Sequence, residues 1–74
     1  MRKTAKGCFV GVTVSRREVE AFKDRWPCST LPDRAVYFEF DARNGDLVDM
    51  RPIDMDGSDV LALSEDAQRF AGLR

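Results

Sequence analysis

The chain has 74 residues, 43% of them hydrophobic and 34% charged, with a net charge of −1. That is the composition of a soluble globular chain, and the length allows a single domain (1–74) whose thin core makes a homodimer a reasonable expectation. Histidine is absent and cysteine occurs twice, which excludes Ser-His-Asp and Cys-His catalysis and leaves the usual ligand set of a structural zinc site incomplete within one chain.

The opening, MRKTAKGCFVGVTV, places basic residues before a short apolar run. That run alternates like a strand, has no clear cleavage site, and is far shorter than the roughly 20 residues that span a bilayer, so a cytoplasmic location is expected. Residues 1–6, with Arg2, Lys3 and Lys6, read as a flexible basic tail. In GCFVGVTV, Cys8, Val10, Val12 and Val14 fall on one face, taken as the core face, and Phe9, Gly11 and Thr13 on the other. Gly11 in mid-strand suggests a bulge or the close approach of another element.

Strong helix signals follow. Ser15 and Glu18 have the spacing of a reciprocal capping box, and Val14 and Val19 that of a hydrophobic staple. Val19, Phe22 and Trp26 continue as one apolar stripe, and Arg16, Arg17, Glu20, Lys23 and Asp24 are left for solvent. Pro27 disfavours helical backbone at Trp26, so the spacing predicts a helix over 16–26.

RAVYFEFDARNGDLVDMRP then reads as a hairpin with strands over about 35–41 and 46–52. A two-residue Asn44-Gly45 turn would pair apolar with charged residues on both faces. A three-residue loop Arg43-Asn44-Gly45, with Gly45 left-handed, pairs Phe38 with Met50 and Phe40 with Val48 and gathers the apolar residues on one face. In the tail, Ser64 as N-cap and Gly72 beyond the end predict a short helix over about 65–71, with VLAL (60–63) an edge strand or an earlier helical turn. The fold class is therefore α+β: strand, helix, β-hairpin and C-terminal helix on a small antiparallel or mixed sheet.

No residue pattern carries a reaction. A strand rising about 20 Å from Cys8 and a helix returning about 16 Å bring Cys28 back near its level, yet neither thiol has an activating neighbour in the sequence, and two idle thiols are the plainer reading. DMDGSDVLALSE (54–65) has some spacing of a calcium loop, but Asp59 stands where the sharp turn needs glycine, which favours an acidic turn leading into a helix. No metal or cofactor is expected.

Two surfaces are candidates for binding. In the chosen register Glu39 lies opposite Asp49 with Asp41 on the same outer face, a like-charge arrangement that suits a basic partner or a solvated surface. Tyr37 lies there opposite Arg51, placed for a cation–π contact. Any exposed part of Trp26 adds an aromatic anchor. The alternative is nucleic-acid binding through Arg2, Lys3, Lys6, Arg16, Arg17 and Lys23, helped by Arg25 and Arg34. A strand before a capped basic helix is similar to the opening of a ribbon-helix-helix protein, but AVYFEF alternates as a strand where that fold requires a second helix. No membrane partner is expected.

RWPCSTLP, FEFDARNGDLVDM and LALSEDAQ together resemble a family of short uncharacterised bacterial proteins found on plasmids and integrating elements. The resemblance implies no catalytic residue. It implies an accessory role in mobile-element biology, exerted by binding and modulating a host or element protein.

Overall fold

Apolar alternation in the two central strands and the 3–4 spacing of the two helical segments together build one layer of helix on one layer of sheet. The structure, a computed structural model, describes residues 1–73. The elements run β1 (Arg2–Lys6), β2 (Phe9–Val14), α1 (Arg16–Asp24), β3 (Val36–Asp41), β4 (Leu47–Arg51) and α2 (Ser58–Phe70). The strands form one antiparallel sheet in the order β1-β2-β3-β4.

Val12, Val14, Val36, Phe38 and Phe40 share the inner face and are buried with Val19 and Phe22 of α1 and Val60, Leu63 and Ala67 of α2. Both helices therefore cover the same face of the sheet. No helix among the described residues is long and apolar enough to cross a membrane.

Helix α1 begins as the sequence requires. Ser15 Oγ accepts from the Glu18 amide at 3.2 Å and Glu18 Oε1 accepts from the Ser15 amide at 3.1 Å, and the staple pair Val14 and Val19 is fully buried. The helix stops at Asp24, short of the expected Trp26, with Arg25 as the C-cap. Trp26 donates its amide to the Lys23 carbonyl in the closing turn, and Pro27 turns the chain away.

Three expectations need correction. Residues 2–6 are not a flexible tail but the edge strand β1, paired with β2 from Arg2–Thr13 to Lys6–Phe9. The amino group of Met1 forms an ion pair with Glu18 that fastens the start of β1 to the first turn of α1, and this contact holds the Glu18 carboxyl below its ordinary range.

In the hairpin, Tyr37–Arg51, Phe38–Met50 and Glu39–Asp49 pair as expected, but Phe40 faces Leu47. The turn is the cause: Asp41 donates its amide to the Asp46 carbonyl at 2.8 Å and accepts from the Gly45 amide at 2.8 Å, while Gly45 adopts φ +79°. That closure sets a register one residue out of step with the far end of the hairpin. Val48 takes up the difference as a bulge, leaving it 48% exposed while Leu47 packs on the core.

Finally, α2 begins seven residues earlier than the expected 65, at Ser58. Val60, Leu63, Ser64, Ala67 and Ala71 recur at helical spacing and are all buried, so Ser64 is an interior residue and not a cap; its Oγ donates to the Leu61 carbonyl at 2.8 Å. The other end is as expected. Gly72 is left-handed at φ +78°, and the amides of Gly72 and Leu73 donate to Arg69 and Gln68 at 3.1 and 2.9 Å in a Schellman closure.

The long connection between α1 and β3 is tied down by Asp59. This carboxylate is 3% exposed. Its Oδ2 accepts from Ser29 Oγ and from the Thr30 amide, both at 2.7 Å. Its Oδ1 accepts from Thr30 Oγ1 at 2.9 Å and from the Val60 amide at 3.0 Å. Burial alone would raise the Asp59 pKa, but the hydrogen bonds from Ser29, Thr30 and Val60 outweigh it and bring the group down to about 2. Leu31, next in the chain, is 3% exposed. Just ahead of the tether Cys28 is held at φ +60°, a left-handed conformation that costs a non-glycine residue about 1–2 kcal/mol.

A pKa lowered on folding stabilises the native state above the unfolded value near 4 and is lost as pH falls toward 2. Asp59→Asn should destabilise the protein by about 2–4 kcal/mol at pH 7. The gap between wild type and variant, followed by urea denaturation, should narrow by about 2 kcal/mol between pH 4 and pH 2. A pH-independent gap would contradict the charge of Asp59 as the source.

Candidate functional site

The side chains singled out in the sequence fall on two separate surfaces. The first is the sheet face turned away from the helices. Across it run the rows Arg2–Thr13–Tyr37–Arg51, Thr4–Gly11–Glu39–Asp49 and Lys6–Phe9–Asp41. On this face the acidic residues stand on β3 and β4, and the basic ones on β1 except for Arg51 on β4.

Gly11 has a definite reason. The Tyr37 ring lies across it, and a Cβ added there would meet Tyr37 Cε1 at 2.7 Å and Cζ at 2.9 Å. From this position the Tyr37 hydroxyl donates to Glu39 Oε1 at 2.8 Å. Lys6 Nζ stands 5.6 Å from the ring centroid. The cation over Tyr37 is thus Lys6, not the expected Arg51, which is drawn aside to Asp49 at 2.7 Å. Partial burial, followed by the hydrogen bond and charge of Glu39, raises the Tyr37 pKa above its ordinary 10.0.

The acidic residues are not a bare negative surface. Glu39 holds the tyrosine hydroxyl, Asp49 holds Arg51, and Asp41 accepts from the Arg43 side chain at 3.2 Å and its amide at 2.8 Å. The contact with Arg43 keeps the Asp41 carboxyl below its ordinary range. The opposition of Glu39 and Asp49 is relieved locally, and each carboxylate's demand for a partner is met within the chain.

The six cations of the nucleic-acid alternative do not converge. On β1, Arg2 and Lys6 project to the outer face and Lys3 to the inner. Arg16 pairs with Glu20 at 3.0 Å, and Lys23 pairs with Asp33 at 2.7 Å, lowering the Asp33 pKa through that hydrogen bond. Arg2 and Arg16 line one hollow, beside Ser15 and Glu18. Arg17 is exposed.

The second surface surrounds Trp26. The indole is half-buried and stacks on Phe22, with ring centroids 5.6 Å apart and planes 15° from parallel. Together they form one wall of an open groove of about 280 Å³. Ala62, Glu65, Asp66 and Arg69 line the α2 side, and Arg25, whose guanidinium is 5.9 Å from the Phe22 centroid, lies at the end of α1. The sequence pointed to Trp26 alone. Ala62 was hidden because residues 58–64 were not read as a settled helix, and Glu65, Asp66 and Arg69, inside the expected helix, had no signal that placed them beside Trp26.

The remaining candidates resolve simply. Cys8 and Cys28 are both free and exposed, so the bridge that geometry allowed is not formed. The calcium-like stretch is divided between a turn and the first two turns of α2, and Asp59 points into the Ser29–Thr30 tether. A carboxylate held at about 2 is a weak base at neutral pH and serves as an anchor. Compared with known protein families, curated proteins and solved structures, the chain matches none.

Tyr37 is the only tyrosine, so its ionisation can be followed by ultraviolet absorbance without interference. Its midpoint should lie above 10.0, and Glu39→Gln should move it down, because the carboxylate charge opposes tyrosinate formation. An unchanged midpoint would contradict the contact.

Proposed function

We propose that the chain is a small non-catalytic protein-binding module that docks a partner in the groove beside Trp26. One observation supports this reading above the rest: the indole is stacked flat on Phe22 yet partly exposed along an open groove bordered by Arg25, Glu65, Asp66 and Arg69. Tryptophan and arginine are the residues that most often dominate binding energy, and a ring already held by its neighbour loses little freedom when a partner covers it.

The partner is a segment that offers an apolar side chain to the indole and a hydrogen-bond acceptor to Arg25; Arg69 is already paired with Asp66, and Glu65 sets a second carboxylate on the same groove. The acidic sheet face, whose carboxylates are met within the chain, is the weaker candidate. The resemblance to plasmid and integrating-element proteins fits an accessory protein of a mobile genetic element, acting in the cytoplasm on a host or element protein.

The test is affinity capture from the native host followed by titration of the purified partner. Trp26→Ala should weaken binding by at least tenfold, and Glu39→Gln with Asp49→Asn should change it less than twofold. Thermal melting would verify that each variant is folded. Full binding by Trp26→Ala, or salt-sensitive retention of DNA without any protein partner, would overturn the reading in favour of another surface or of nucleic acid.

A further inference from the structure

The two edges of the sheet are treated differently by the chain. On β4, the Met50 amide donates to Asp49 Oδ1 at 2.9 Å, and Arg51 Nη1 donates to the Met50 carbonyl at 3.2 Å. The same Arg51 nitrogen bonds Asp49 Oδ1 at 2.7 Å. These two side chains occupy the Met50 hydrogen-bonding groups that an added strand would need, so β4 caps its own edge.

Strand β1 has no such cover. All five of its residues are exposed. The two-residue turn Gly7-Cys8 makes Lys6 and Phe9 the flanking pair, which in such hairpins is hydrogen-bonded. Alternation then turns the amides and carbonyls of Lys3 and Ala5 outward. The strand is also fixed at both ends, by the Met1–Glu18 ion pair and by that turn. Among the described residues no carboxylate forms an ion pair with Arg2, Lys3 or Lys6.

We infer that the β1 edge is a docking site for an extended acidic peptide segment, which adds to the sheet as a fifth strand. The open backbone supplies hydrogen bonds, and Arg2, Lys3 and Lys6 select the charge of the incoming strand. The same cations oppose pairing of β1 with a second copy of itself: centred on Thr4, an antiparallel pair would set Arg2 against Lys6. Basic charge therefore closes this edge to self-association while leaving it open to an acidic segment. The site is separate from the Trp26 groove, and neither depends on the other.

The probe is a labelled, end-blocked heptapeptide alternating glutamate and valine, followed by fluorescence anisotropy with the full chain. Wild type should bind it, with slowed exchange of the Lys3 and Ala5 amides. Three changes should each weaken binding at least tenfold: Lys3→Glu with Lys6→Glu, N-methylation of the peptide's three central residues, and Ala5→Pro. Ala5→Pro removes an outward amide, and proline is tolerated at such edge positions. Should that variant fail to fold, the methylated peptide against wild type carries the same test. Trp26→Ala should bind the peptide normally. No binding by wild type, binding indifferent to both methylation and Ala5→Pro, or preference for a single-stranded oligonucleotide of equal charge would each overturn the inference.

Discussion

A buried carboxylate bonded to residues thirty positions away organises this protein. Asp59 lies in the first turn of α2, and Ser29 and Thr30 lie in the connection between α1 and β3. Taking a carboxylate out of water is unfavourable by several kcal/mol unless its lone pairs are met. Here two backbone amides and the Ser29 hydroxyl meet them, and the single Thr30 hydroxyl proton is shared between Asp59 Oδ1 and the Asp56 carbonyl. Thr30 Oγ1 also contacts the Asp56 carbonyl at 2.6 Å. The bond set therefore joins the end of the α1 connection to the start of α2, which settles where α2 crosses the sheet and where Trp26 stands against it. In a chain this short, the apolar core leaves little margin, and one such tether is a large fraction of the total stability.

Six of the eight residues in RWPCSTLP, Trp26 to Leu31, each have an assigned place in the structure. Trp26 stacks on Phe22 and lines the groove, and Pro27 stops the helix. Cys28 takes a strained left-handed turn, Ser29 and Thr30 bind Asp59, and Leu31 enters the core. On the outer face of the sheet the acids are met within the chain, Glu39 by the Tyr37 hydroxyl, Asp49 by Arg51 and Asp41 by Arg43 of the turn, whereas the cations of β1 have no carboxylate ion-pair partner among the described residues.

The α+β class, the capping box, most of the hairpin register and the inward face of each central strand were legible because each rests on local spacing. Val14, Val19, Phe38 and Phe40 are buried, as periodicity requires. Gly11 was legible as a close approach, though not that Tyr37 makes it. What was missed rested on strand pairing, turn chemistry and one long-range tether, none of which the apolar spacing encodes. The basic hexapeptide has little apolar content to mark it as a strand, and it is ordered by pairing with β2. Val48 loses its core place to Leu47 because the turn chemistry at Asp41–Asp46 outweighs the apolar pattern. Asp59 looks like an ordinary first-turn acid until the Ser29–Thr30 hydroxyls are brought to it, and Ser64 imitates a cap while lying inside the helix.

Function follows from this arrangement only if the tether holds the indole in place. Trp26 is the sole tryptophan, so its fluorescence reports that link without labelling. The direct measurement is quenching by acrylamide in wild type and in Asp59→Ala, under conditions where circular dichroism shows both folded. The account requires a partly shielded indole in wild type and a markedly more accessible one, with red-shifted emission, once Asp59 no longer holds the connection. Equal quenching and emission in the two proteins would show that Trp26 is positioned without Asp59, and the link between tether and groove would fail.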